Sequence, residues 1–87
     1  MDCLDHAYFN EELTQLINMQ RQTQMNMYKS MNTVEKQTLD EIADRAHDLR
    51  FACQQFTQFD PNVMMLEVHE LAEMLCKVKS GFYKSAG

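Results

Sequence analysis

From Met1 to Ser80 the chain contains no glycine and one proline, Pro61; its two glycines, Gly81 and Gly87, come later. Strands are joined by turns, and turns draw on Gly, Asn and Pro for backbone conformations that other residues resist. A chain with so few turn-formers cannot link the many short strands of a small all-β domain. An all-α fold is expected.

Apolar spacing points the same way. Leu39, Ile42, Ala46, Leu49, Cys53 and Phe56 recur at alternating intervals of three and four, the pattern of a helix burying one stripe. Ala43, Ala46, Ala52 and Cys53 are small enough to let a neighbouring helix approach. Glu35, Asp40, Glu41, Asp44, Arg45 and Asp48 fall on the expected outer face, where Glu41 and Arg45 form an i,i+4 pair.

A second stripe runs through Met64, Val68, Leu71, Leu75, Val78 and Phe82, widened by Met65, Ala72 and Met74. Asp60-Pro61 opens it with a good N-cap and a proline suited to the first helical position. Glu67, Glu70 and Glu73 precede Lys77, Lys79 and Lys84, an order that complements the helix dipole. A third series, Leu13, Ile17, Gln20, Gln24, Met27 and Met31, follows a cap at Asn10. Two glutamines in its middle mean either partial exposure, the first expectation, or a buried polar layer that fixes register.

Breaks fall at 30–33, where Asn32 and Glu35 have capping-box spacing, and at 59–62. The expected organisation is a single helical domain over 1–87, with helices at about 10–30, 33–59 and 61–80. A short polar arm precedes them, and Ser80-Gly81 frays into a loose tail. Short links favour antiparallel neighbours, hence a small antiparallel three-helix bundle. The alternative is a long helical hairpin completed by oligomerisation with a second chain.

Phe51-Ala52-Cys53-Gln54-Gln55-Phe56-Thr57 resembles part of the central helix of type III secretion needle subunits. Those helices continue where this chain has Asp60-Pro61, and no residue role is carried over.

Charge and composition then narrow the function. The net charge is −5 with eight Lys and Arg, whereas nucleic-acid-binding domains carry a basic surface, so that class is disfavoured. Its best case is Lys77, Lys79 and Lys84 beside Phe82 and Tyr83, which also reads as dipole complementation. No apolar run approaches a membrane span, and the acidic start Met1-Asp2-Cys3-Leu4-Asp5-His6 does not read as a signal peptide. Three widely spaced cysteines are no disulfide framework, so the expected location is cytoplasmic.

Chemistry is sparsely signalled. His47 lies between Asp44 and Asp48, and His69 beside Glu70, but no nucleophile elbow or phosphate-cradling glycine loop is present. No enzyme activity, catalytic residue or cofactor is expected. The alternative chemistry is a metal- or small-ligand-binding module. Cys3 and His6 have Cys-x2-His spacing, and His69 and Cys76 share one helix face.

The preferred expectation is a small helical protein–protein interaction module: an adaptor, chaperone or inhibitor that binds another protein or itself. A phage or mobile-element origin is consistent with so short an interaction protein. Eight methionines suit either a loosely packed core or an adaptable binding face. Apolar residues exceed what one stripe per helix hides, Met19, Met25 and Met74 among them. Phe51, Phe59, Met65 and Leu66 are the candidate partner-binding residues, because aromatic and aliphatic anchors concentrate at interface centres.

Overall fold

The computed structural model describes residues 6–55 and 58–84. Three helices, α1 (His6–Met27), α2 (Thr33–Gln55) and α3 (Pro61–Ser80), carry the fold, with single-turn 3-10 helices at Tyr28–Ser30 and Phe82–Lys84. Every pair of helices is in contact. With short links on either side of α2, α1 and α3 run parallel to each other and antiparallel to it. The three-helix bundle, not the hairpin, is therefore the architecture, and one chain closes the core.

That core is built from the expected stripes. Leu39, Ile42, Ala46 and Leu49 of α2 and Val68, Leu71, Leu75 and Val78 of α3 are buried. They meet Phe9, Leu13, Leu16 and Ile17 of α1. Cys53 and Met64 pack against this cluster as partly buried neighbours.

α1 begins well before the expected cap. Asn10 lies inside the helix, whose first described turn carries Phe9, fully buried and edge-on to Phe59 with ring centroids 5.0 Å apart. Burial of an aromatic side chain outweighs the capping preference of Asn10, since most helical stability in proteins comes from packing. At the other end, α1 tightens into the 3-10 turn, where the Ser30 hydroxyl donates to the Met27 carbonyl at 3.0 Å.

Gln20 corrects a second expectation. It is 3% exposed, and its Nε2 donates to the Leu39 carbonyl at 3.1 Å and to Gln24 Oε1 at 3.2 Å. Gln20 is a buried polar link between α1 and α2, with half-buried Gln24 beside it, and not part of a solvated stretch. The cost of burying an amide is offset only when it is hydrogen-bonded, and here it is.

α2 starts with the reciprocal capping box. Asn32 Oδ1 accepts from the Glu35 amide at 2.9 Å, and Glu35 Oε1 accepts from the Asn32 amide at 3.0 Å. Glu35, assigned from sequence to the outer face, is instead fully buried. The helix is described through Gln55, residues 56 and 57 (Phe56 of the expected stripe among them) lie outside the described residues, and the expected end at Phe59 is not helical. Asp60 needs an extended backbone (φ −108°, ψ 103°) to cap α3, and a residue before proline resists helical geometry.

α3 keeps its expected bounds. Asp60 Oδ1 accepts from the Asn62 amide at 3.0 Å, and Pro61 sits in the first turn. Gly81 terminates the helix in the left-handed region at φ 82°, where a side chain is disfavoured. The expected frayed tail is absent through Lys84. The chain turns at Gly81 and docks back on the start of α2: Asn32 Nδ2 donates to the Tyr83 carbonyl at 3.3 Å. Phe82, expected at the end of the α3 stripe, lies beyond this cap and is 56% exposed.

Candidate functional site

The expected partner-binding residues divide into two kinds. Leu66 and Phe51 are 69% and 60% exposed, on the outer faces of α3 and α2. Met65 is buried in the core, and Phe59 is partly buried against Phe9. Those two side chains are occupied by intramolecular packing. Met65 is drawn inward because α3 buries a stripe wider than a heptad seam, as straight globular helices do.

A groove between α1 and α3 brings residues together that the sequence keeps far apart. Leu16, Val68 and Ala72 supply its apolar surface, and Glu12, Gln15, Met19 and His69 complete the lining. Its volume is about 120 Å³. Small-molecule pockets run to about 300–1,000 Å³, so this groove fits one apolar side chain rather than a metabolite. Tyr8, Glu12, Gln15 and Met19 follow i, i+4, i+7, i+11 and share one stripe of α1. Tyr8 (47% exposed) and Met19 (44%) thus extend the apolar character of this face beyond the groove, and Leu66 lies next to it on the outer face of α3, three residues from His69 and four from Glu70.

Sequence reasoning missed Tyr8 and the groove itself. The three-turn spacing of Tyr8 and Met19 carried a signal for the stripe. The pairing of α1 with α3, by contrast, depends on how the chain closes.

The opposite edge of α3 is polar. Arg45 of α2 pairs with Glu67 at 3.2 Å, Glu70 at 3.2 Å and Glu41 at 3.5 Å. Desolvation opposes the Arg45 charge, but hydrogen bonds and attraction from Glu67 and Glu70 outweigh it and raise its pKa. This network ties α2 to α3 and leaves the α1–α3 face as the more apolar one.

The metal-ligand candidates are not gathered by the described fold. Cys3 lies outside the described residues. His6 is exposed, with its ring 5.7 Å from that of Phe59, and His69 and Cys76 are exposed on α3. Among the described residues no group of three or more His, Cys, Asp or Glu side chains is placed to hold a metal ion. His47, Asp44 and Asp48 are all exposed on α2. Burial pushes the Cys53 thiol pKa up, the opposite of an activated nucleophile.

Two of the three C-terminal lysines have intramolecular partners. Lys77 lies over the Phe82 ring at 5.1 Å, and Lys84 pairs with Glu35 at 3.3 Å. Among the described residues, no helix is long and apolar enough to cross a membrane. Comparison with known proteins finds no matching family model, no matching curated protein and no matching solved structure.

Proposed function

We propose that this chain is a small helical protein–protein interaction module, an adaptor, chaperone or inhibitor, that engages its partner through the α1–α3 face. One observation carries the reading. The bundle buries its own core, yet leaves Tyr8 and Met19 exposed along an apolar groove the size of one side chain, with Leu66 exposed on the neighbouring outer face of α3. Apolar surface left over after the core is complete marks interaction sites more than it marks folding. The aliphatic knob of a partner helix is the natural occupant of such a groove. Leu66, 69% exposed, is the proposed contact on α3, and Phe51 offers a separate exposed aromatic on α2. Free thiols at Cys53 and Cys76 suit a reducing compartment such as the cytoplasm.

Native mass spectrometry of the protein captured gently from its source tests this reading, with Met19→Glu and Leu66→Glu measured in parallel. The expected result is a complex, with a second protein or a second copy, that both variants lose while their circular dichroism stays helical. A bare monomer, or a complex that both folded variants retain, contradicts it.

A further inference from the structure

Glu35 is fully buried, yet among the described residues only one of its carboxylate oxygens finds a hydrogen-bond partner. Oε1 accepts from the Asn32 amide and from Lys84 Nζ at 3.3 Å, whereas Oε2 is buried with no hydrogen-bond partner among the described residues. A carboxylate removed from water needs a cation close by. Lys84 meets that need from 49 residues away, and its own side chain remains 49% exposed. The same Nζ also donates to the Ser30 carbonyl at 3.3 Å, and Asn32 holds the Tyr83 carbonyl. The turn after α3 thus lies across the link between α1 and α2, fastened at three points. Gly81 makes the reversal possible.

We propose that Phe82–Lys84 is a strap whose attachment depends on the charge of Lys84. Closed, it supplies the counter-charge that lets Glu35 stay buried and cap α2. When Lys84 is neutralised, or the turn is drawn away, Glu35 is left without a cation and leaves the interior for water. The first turn of α2 then opens while the three-helix core stays closed. Lys84 can act as the release point because it is half in solvent, whereas Glu35 is reachable only by opening the strap.

Amide hydrogen exchange by NMR on the full chain tests this directly, since local opening is read residue by residue. The reporters are the amides of Asn32, Glu35 and Lys36, which bond to Glu35 Oε1, Asn32 Oδ1 and the Asn32 carbonyl. Lys84→Gln is expected to speed their exchange about tenfold, a charge-assisted bond discounted for the exposure of Lys84. Amides around Leu13 and Leu71 are expected to hold their wild-type rates. Lys84→Arg, which keeps the charge, is expected to stay near wild type. In a Glu35→Gln background no carboxylate remains to be compensated, and Lys84→Gln is expected to add little. The proposal is overturned if Lys84→Gln leaves the three reporters at wild-type rates or speeds core amides equally. An undiminished effect in the Glu35→Gln background overturns it too.

Discussion

The side-chain amide of Gln20 donates to the main-chain carbonyl of Leu39 from inside the bundle, at 3.1 Å. This bond joins the middle of α1 to α2 and turns a polar interruption of the apolar stripe into a register mark. Gln20→Ala removes the donor and leaves a void, at an expected cost of about 1–3 kcal/mol. Gln20→Leu fills the space without a polar group and should cost less. Chemical denaturation of both variants checks the order, and equal losses would mean the hydrogen bond itself carries the effect.

Leu71 and Leu66 are five residues apart on one helix, one fully buried and the other 69% exposed. Leu71→Ala should cost about 2–5 kcal/mol, a large share of a small domain's stability. Leu66→Ala should change stability by no more than about 0.5 kcal/mol. Thermal unfolding of the two proteins separates the packing role from the surface role.

Arg45 lies among Glu41, Glu67 and Glu70, so removing it leaves three carboxylates facing one another. Partial exposure keeps the expected cost of Arg45→Ala at about 1 kcal/mol. The loss should shrink in high salt, which screens the uncovered repulsion. Urea melts at low and high ionic strength read this difference.

Cys53 and Cys76 should differ in reactivity. Cys53 is half-buried and its thiol pKa is raised by desolvation, whereas Cys76 is exposed. Alkylation followed by peptide mass spectrometry should label Cys76 well before Cys53. The folded state favours the protonated Cys53 thiol. Its contribution is therefore full below the ordinary thiol range, about 8.5, and is lost as pH rises through that range toward the raised folded value. A Cys53→Ala protein should show a weaker stability loss over this alkaline window.

Local signals made α3 legible: Asp60-Pro61 starts it, Gly81 stops it, and both act within one turn. The start of α1 was not legible, because Phe9 is held by Phe59 from the far side of α2. Glu35 shows both sides of this divide. Its spacing from Asn32 announces the capping box, but its burial is matched by a lysine 49 residues away that only the packing of α3 brings near. The same holds for the candidate site. Leu66 was readable as surplus apolar surface, whereas Met65 and Phe59 are absorbed by packing partners distant in sequence. The groove needs α1 and α3 side by side, and no single stretch of the chain encodes it.

Photocrosslinking in the source cell tests the proposed interface most directly, with benzoylphenylalanine replacing Met19 or Leu66 and, as a control, the exposed Asp48 of α2. The account predicts discrete adducts from positions 19 and 66 and none from 48. Absence of adducts at 19 and 66, or equal yield at 48, would contradict docking through the α1–α3 face.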